Sequence, residues 1–292
     1  MIRESKSKGE LHPRNRHRGS YDFAALVAAY PPLEKFVEPN KYGTLSINFF
    51  EPSAVKALNR ALLALHYKVE WWELPSSALI PPIPGRADYI HYLADLVGRR
   101  GDVRCLDVGI GANCIYPIIG CAEYGWEFVG CDIDSDSLRS AQCIVERNQF
   151  LSSKVELREQ KDRNNIFEGV IKPGEYFDLT LCNPPFHDSA ESAAKGTQRK
   201  LRGLKAPQKG ILNFAGRSCE LWCKGGEKRF IKLMISQSRT FATQCGWFTT
   251  LVSNEDNLKT LLPALRDAKV MEHRVIEMHQ GNKRNRILAW KY

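Results

Sequence analysis

The sequence predicts an α/β fold built on a doubly wound, mostly parallel sheet. Short apolar runs alternate with segments of helical periodicity, and polar residues follow several of those runs. This alternation places strands side by side with helices on both faces, and ligands then bind at the carboxyl ends of the strands. The expected core elements are strands 103–108, 126–131, 154–159 and 176–182, with helices 113–124 and 135–148 between them.

Composition is that of an ordinary globular chain. Of 292 residues, 43% are hydrophobic and 26% charged, which allows one large α/β domain and an appendage. No apolar run approaches the roughly 18 residues of a membrane span, and the polar, basic N-terminus does not look like a signal peptide. Nine scattered cysteines without a Cys-x-x-Cys pair favour reduced thiols in the cytoplasm and no metal site. We expect no membrane partner and no obligate protein partner.

A glycine turn follows the first strand of this core. Gly109 and Gly111 would let the backbone approach a ligand, and the helix that follows offers free N–H groups at its start. A nicotinamide-cofactor fingerprint would have a third glycine where Cys114 stands. Asp107, just before the turn, instead suits a ligand that carries an ammonium group. Taken alone, such a turn is more often structural.

Two carboxylates end the next strand. A carboxylate at this position typically accepts hydrogen bonds from ribose hydroxyls, and we assign that role to Asp132. Asp134 is better placed as a helix N-cap, because apolar residues follow it at helical spacing. These residues are Leu138, Ala141 and Val145.

The stretch 178–186 is the most distinctive. Leu179 to Leu181 form a short apolar run that Pro184 and Pro185 terminate, so Asn183 is held extended at a strand end. An amide and fixed carbonyls beside the ring of Phe186 suit a planar group with an exocyclic amine. A plain turn after a strand is the alternative, since Pro-Pro pairs also occur at 31–32 and 81–82.

Positive charge is concentrated in two places. Residues 195–232 hold eleven Lys or Arg against two acids, and residues 1–20 hold six against two, a net +9 and +4. Since the whole chain is +9, the remainder is mildly acidic. Such concentrations favour a polyanionic partner over a merely solvated surface. The long insertion 187–225 begins next to Asn183 and is expected to engage RNA.

The chain is expected to divide into an N-terminal extension, 1–85, made of a basic arm and a helical RNA-binding part, and a catalytic domain, 86–292. In the extension, Tyr21 to Val27 could form a short helix, and Ser53 is expected to cap a second helix whose core positions are Val55, Leu58, Leu62, Leu65 and Val69. Trp71 and Trp72 are expected to pack against the catalytic domain. We expect a rigid linker at 81–85, then helix 86–97, helix 226–243, strand 246–252, a helix around 258–265, and a hairpin of strands 270–279 and 287–290 around turn 281–285.

The three polar stretches, in this order, are the pattern of class I S-adenosylmethionine-dependent methyltransferases. With residues 11–17, 84–91, 106–117 and 181–189 included, the chain strongly resembles the ribosomal RNA large subunit methyltransferase F family. It resembles more weakly the eukaryotic adenosine N6-methyltransferases that act on structured RNA. The resemblance implies a seven-stranded sheet with an antiparallel last strand. It also implies transfer of methyl from S-adenosyl-L-methionine, leaving S-adenosyl-L-homocysteine, to N6 of adenine-1618 in 23S rRNA.

Residues and resemblance together give a candidate site. Arg86 is included because this position faces the methionine carboxylate of the cofactor in the family. The catalytic set is Asn183, Pro184, Pro185 and Phe186. The cofactor set is Arg86, Asp107, Gly109, Gly111, Asn113, Asp132, Asp162 and Asn183. The RNA set is Arg14, Arg16, Lys195, Arg199, Lys200 and Arg202.

Other functions are alternatives to an rRNA adenine methyltransferase. Protein-glutamine N5-methyltransferases use a similar Asn-Pro-Pro element, usually followed by tyrosine rather than Phe186. An adenine in another structured RNA or in DNA is a second possibility. A catalytically silent RNA-binding protein is a third, which the glycine turn, Asp132 and Asn183 disfavour.

Overall fold

A twisted seven-stranded sheet organises the computed structural model, which describes residues 10–185, 225–280 and 283–292. A separate two-stranded pair precedes it. The strands are β1 (Val37–Pro39), β2 (Leu45–Ile47), β3 (Arg104–Val108), β4 (Glu127–Asp132), β5 (Val155–Glu159), β6 (Phe177–Cys182), β7 (Cys245–Val252), β8 (Glu272–Gln280) and β9 (Lys283–Lys291).

The strand order of the large sheet is β5-β4-β3-β6-β7-β9-β8. The five strands from β5 to β7 pair in parallel, whereas β9 is antiparallel to both β7 and β8. The predicted doubly wound sheet with an antiparallel last strand is therefore confirmed.

Helices cover both faces of this sheet. Buried side chains form two clusters, and neighbouring residues of β3 belong to different ones, Cys105 to the first and Leu106 to the second. This follows from the alternation of side chains along a strand. The helices are α1 (Phe23–Ala29), α2 (Pro52–Tyr67), α3 (Ile83–Leu96), α4 (Ile115–Tyr124), α5 (Ser135–Glu146), α6 (Gln149–Ser152), α7 (Gly226–Ser238) and α8 (Leu258–Asp267).

The expected start and face of α2 were wrong in part. Glu51 is the N-cap and Pro52 the first helical residue, so Ser53 lies within the first turn. Proline fits there because the first helical N–H needs no partner inside the helix. Leu58 and Leu62 are buried as expected, but Leu65 is 39% exposed.

The expected linker at 81–85 was also wrong. Helix α3 already begins at Ile83, with Pro84 in its first turn, where a missing N–H costs no helical hydrogen bond. The sequence signal was misread because a proline-rich run can start a helix as well as separate two domains.

The terminal hairpin forms, but its second strand begins earlier than expected. Strand β9 starts at Lys283, and Asn285 pairs with Met278, so residues 283–285 belong to the ladder rather than to a turn. Residues 281 and 282 lie outside the described residues.

The N-terminal extension shares its core with the catalytic domain. Asn148, the N-cap of α6, is fully buried, and its side-chain oxygen accepts hydrogen bonds from the N–H groups of Glu70 and Trp71. Its amide group donates to the carbonyls of Trp71 and Ile144. One side chain thus satisfies four backbone groups and fastens segment 70–72 to the domain.

Two further observations bear on the class of protein. Among the described residues, none of the helices combines the length and apolarity that crossing a bilayer requires. The seven cysteines in the described ranges carry free thiols, and six of them are buried.

Replacing Asn148 by alanine should destabilise the fold by roughly 2–4 kcal/mol, because several buried backbone groups would lose their partners together. Urea unfolding measures the change. Gln149, an exposed neighbour with the same chemistry, is the matched control, and its alanine variant should change stability by less than about 0.5 kcal/mol. Equal effects of the two variants would show that the hydrogen bonds of Asn148 do not stabilise the fold.

Candidate active site

A cavity of about 560 Å³ lies at the carboxyl ends of β3, β4 and β6. This size is within the usual range of small-molecule sites. Its wall contains seven of the residues predicted for the site, drawn from four separate stretches of the chain. They are Arg86, Gly109, Gly111, Asn113, Asp132, Asn183 and Pro185.

The glycine turn is fixed by backbone bonds to β4. The N–H groups of Gly109 and Ile110 both donate to the carbonyl of Cys131, at 2.9 and 3.0 Å. Gly109 and Gly111 have φ values of +79° and +63°, which glycine adopts without the steric cost of a side chain. No heavy atom of the described chain lies within 4 Å of where a Cβ on Gly109 would be, so the turn leaves room at the cavity wall.

Asp132 ties this turn to the end of β4. Its Oδ2 accepts from the N–H of Gly111 at 2.9 Å and its Oδ1 from the N–H of Asp134 at 3.0 Å. Burial raises the pKa of Asp132, and these N–H groups offset part of that rise. Each carboxylate oxygen can accept a second hydrogen bond, so the proposed ribose contact remains chemically available. Asp134 accepts from the N–H of Ser137, which confirms its assignment as the cap of α5.

Asp107 is the least satisfied group of the site. Its side chain is fully buried, and neither carboxylate oxygen has a hydrogen-bond partner within the described part of the chain. Burial raises the pKa of Asp107 well above its ordinary value, and nearby Asp132 raises it further, whereas Arg86 lowers it. Asp107 does not itself line the cavity, but the next two residues do. A buried carboxylate of this kind fits a cationic ligand group.

Arg86 is a buried residue of the first turn of α3. It is 9% exposed and lines the cavity. Its Nη1 donates to the hydroxyl of Tyr116 at 2.7 Å, and its guanidinium lies 5.5 Å from the centre of that ring. Tyr116 therefore orients a cation toward the cavity.

Asn113 is held by the N-terminal extension. Its carbonyl accepts from the indole N–H of Trp72 at 3.0 Å, and its Oδ1 accepts from the N–H of Ile115 at the start of α4. Trp72 is fully buried, which confirms the expected packing against the catalytic domain. Leu79 of the same extension reaches the cavity wall.

Asn183 follows β6 directly. Its Oδ1 is buried and has no hydrogen-bond partner among the described residues, and the side chain lines the cavity together with Pro185. Pro184 is buried but does not line the cavity. Phe186 lies outside the described residues, so its stacking role stays a prediction.

The structure does not bring Asp162 into the cavity wall. Its carboxylate is exposed and accepts from the backbone and side-chain N–H groups of Asn164. Gln160, Arg163 and Asn164 line the cavity instead. A strand end can be located from sequence, but which of several polar residues faces inward cannot. The contribution of Asp162 to cofactor binding thus remains a prediction without support from its placement.

The predicted RNA residues divide into two groups. Arg14 donates to the hydroxyl of Tyr124 and the carbonyl of His91, both at 2.9 Å, and pairs with Asp95, so it anchors the arm to α3 and α4. Arg16 pairs with a glutamate of α4 but is 53% exposed, which leaves it accessible. The other four lie outside the described residues, in the basic insertion, and are Lys195, Arg199, Lys200 and Arg202.

Sequence reasoning missed the opposite wall of the cavity. Arg229, Phe230 and Leu233 of α7 line it, whereas the sequence predicted only a helix at 226–243 and assigned it no role in the site. Their position directly after the basic insertion was the one available signal. Within the described ranges, no group of three or more His, Cys, Asp or Glu side chains is arranged to hold a metal ion.

Comparisons with known proteins agree on one group. The model of a family described as RNA methyltransferase matches residues 5–292. A ribosomal RNA large subunit methyltransferase F of Bacteroides fragilis is 55% identical, covering 98% of this chain and 99% of that protein. One from Pseudomonas paraeruginosa is 52% identical, covering 99% and 90%.

Solved structures of a human protein share the fold. The hMettl16 catalytic domain in complex with MAT2A 3'UTR hairpin 1 aligns with a TM-score of 0.82 and 32% identity, covering 96% of this chain and 95% of that one. The N-terminal domain of human METTL16 in complex with SAH aligns with a TM-score of 0.78 and 28% identity, covering 96% and 98%.

Asp107→Asn should stabilise the protein in the absence of ligands, by roughly 1–3 kcal/mol at pH 8. Because the pKa of Asp107 is higher in the folded than in the unfolded state, the folded state holds the proton longer. Wild-type stability is therefore lost as pH rises from the unfolded pKa through the folded one, and asparagine removes that loss. Thermal unfolding from pH 4 to pH 8 should show the advantage of the variant growing with pH. A stability difference that does not change with pH would mean that folding does not raise the pKa of Asp107.

Proposed function

Since the chain belongs to the RNA methyltransferase family, whose model spans residues 5–292, we propose that it methylates N6 of adenine-1618 in 23S rRNA with S-adenosylmethionine as donor. One observation carries the proposal. The amide oxygen of Asn183 and the glycine turn beside the carboxylate of Asp107 adjoin a single cavity, and neither group has a hydrogen-bond partner among the described residues.

The residues of this cavity fit the cofactor. The guanidinium of Arg86 can fork onto a carboxylate, and Asp132 can accept from ribose hydroxyls. Asp107, buried next to the turn rather than in the cavity wall, would supply negative charge for an ammonium. The turn at Gly109 and Gly111 lets the backbone come close to the ligand. When bound, S-adenosylmethionine supplies a methyl group activated by its positively charged sulfur.

Asn183 and Pro184 would act on the acceptor base. The adenine N6 nitrogen is a weak nucleophile because its lone pair is delocalised into the ring. Its two N–H bonds can donate to the Asn183 Oδ1 and to the Pro184 carbonyl, which favours a pyramidal nitrogen as the new bond forms. Acceptors already held in place stabilise the developing positive charge without reorganising. The proton can leave to water after transfer, so no general base is needed before it.

Phe186 would hold the base by stacking. Stacking on an aromatic ring contributes roughly 1–3 kcal/mol per base. Removing a base from its neighbours costs a few kcal/mol, so the two terms are of similar size. Arg16, together with the basic insertion at 187–225, would bind the RNA backbone around the target.

Names of similar proteins support an RNA substrate. Those of the two bacterial relatives state ribosomal RNA of the large subunit, and the hMettl16 domain was solved with an RNA hairpin. The second candidate is therefore an adenine in another structured RNA. Mapping N6-methyladenosine in 23S rRNA from a deletion strain, and from the same strain carrying the gene again, separates the two. An unchanged 23S rRNA would contradict the first.

Asn183→Ala should reduce methylation of an RNA containing the target by at least about 100-fold, because the fixed acceptor for N6–H is lost. Calorimetry should show S-adenosylmethionine affinity within about threefold of wild type. Gln142→Ala, an exposed amide on α5, is the matched control and should retain full activity. Near-normal turnover by the Asn183 variant would remove its assigned role.

Changing Lys200 and Arg202 to glutamine should weaken RNA binding and make it less dependent on salt. Each lost phosphate contact lowers the slope of log affinity against log salt by roughly 0.7–0.9. Filter binding at several salt concentrations measures it. Arg139 and Lys259 are exposed cations elsewhere on the surface, and their glutamine variants should leave the slope unchanged. If the Lys200 and Arg202 double variant shows the same slope as the Arg139 and Lys259 double variant, the insertion is not the docking surface.

A further inference from the structure

Strand β6 separates from its neighbour β7 near the carboxyl end of β6. Strand β6 pairs with β3 as far as Cys182, the residue before Asn183. On its other side, the last pair between β6 and β7 is Leu179 with Trp247. The final three residues of β6 thus do not pair with β7. On that side, their backbone groups form hydrogen bonds with side-chain hydroxyls instead.

Tyr89 of α3 and Thr249 of β7 supply these hydroxyls. The Thr249 hydroxyl donates to the carbonyl of Thr180 at 2.7 Å and lies 2.8 Å from the Tyr89 hydroxyl. The Tyr89 oxygen is 3.4 Å from the N–H of Cys182 and 3.5 Å from its carbonyl. Both side chains are fully buried.

Counting protons gives these bonds a direction. The one proton of Thr249 is used on the Thr180 carbonyl, so Thr249 must accept from Tyr89. Burial raises the pKa of Tyr89 well above its ordinary value, so the phenol keeps its proton and can donate it. The Tyr89 oxygen then accepts from Cys182. The chain of donors runs Cys182 N–H, Tyr89 O–H, Thr249 O–H and ends on the Thr180 carbonyl.

The orientation of Asn183 depends on its surroundings. Its Oδ1 has no hydrogen-bond partner in the described part of the chain, so no bond from a described residue to that oxygen fixes the amide. The amide is aimed by the backbone that carries it, and Pro184 restricts that backbone from the downstream side. Upstream, the hydroxyl chain contacts the residue immediately before it.

We propose that Tyr89 and Thr249 are positioning residues that hold the strand end carrying Asn183, and thereby aim its amide at the acceptor nitrogen. The assignment rests on the proposed function and extends it to two residues that touch neither base nor cofactor. It predicts that deleting either hydroxyl slows transfer while binding persists, since small displacements of a catalytic group are costly.

Four variants separate positioning from bulk structure. Tyr89→Phe removes only the hydroxyl and keeps the ring, whose edge-to-face contact with Tyr116 has a centroid distance of 5.4 Å. Thr249→Val removes the second hydroxyl at nearly constant shape, and Thr249→Ser restores it. Tyr92→Phe, on the same helix, controls for loss of any tyrosine hydroxyl.

Turnover is the first readout. Tyr89→Phe and Thr249→Val should each lower kcat by about 10-fold or more, with KM for S-adenosylmethionine and for RNA within about threefold of wild type. The double variant should lose no more than about the worse single one, because both belong to one chain of bonds. Thr249→Ser and Tyr92→Phe should stay near wild type. An unchanged kcat in Tyr89→Phe would overturn the proposal. So would a fall in kcat accompanied by a rise in both KM values and a loss of thermal stability.

The second readout needs no substrate. The side-chain amide signal of Asn183 in a nitrogen–proton NMR spectrum can be assigned by its absence from Asn183→Ala. It should broaden or split in Tyr89→Phe and Thr249→Val but not in the two control variants, and an unchanged signal would overturn the proposal. Failure of the proposed function would appear separately, as wild-type protein that leaves adenine N6 unmethylated. The NMR comparison would then still decide whether these hydroxyls hold Asn183.

Discussion

The parallel pairing of β3 with β6 is the constraint on which the site depends. In this ladder Asp107 is opposite Leu181 and Val108 is opposite Cys182. Neighbouring strands lie about 4.8 Å apart, so the turn after β3 and the amide after β6 begin side by side. A shift of register by one residue would turn every side chain of β6 to the other face. The sides of the cavity proposed for the cofactor and for the acceptor base are therefore set by one run of backbone hydrogen bonds.

The site contains two buried polar groups that the described chain leaves unpaired, the carboxylate of Asp107 and the amide oxygen of Asn183. A buried polar atom without a partner costs roughly 1–3 kcal/mol, so a fold selected for stability alone would not keep both. Their retention at one cavity is the pattern expected where binding and stability conflict. The surrounding chain offsets the cost with groups that are fully paired, such as Asn148.

Much of the fold could be predicted because its strands are continuous apolar runs bounded by polar residues. The glycine turn, the cap at Asp134 and the terminal hairpin were each visible within a few residues. What could not be predicted depends on distant partners. Nothing near Tyr89 in the sequence indicates Thr249, 160 residues away, and nothing local shows that Asp162 faces solvent while Gln160 faces the cavity. Proline at 84 was ambiguous because the same residue starts helices and interrupts them.

The docking of the N-terminal arm has a consequence for how the chain is made. Asn15 donates to the carbonyl of Pro84, 69 residues later, and Arg14 bonds to Tyr124, 110 residues later. During synthesis the arm leaves the ribosome before its partners, because those on α3 follow it by at least 69 residues. Its contacts to α3 and α4 cannot form until those helices have been added, at roughly 5–20 residues per second. The arm therefore docks only once α4 has been made, rather than folding by itself as it emerges.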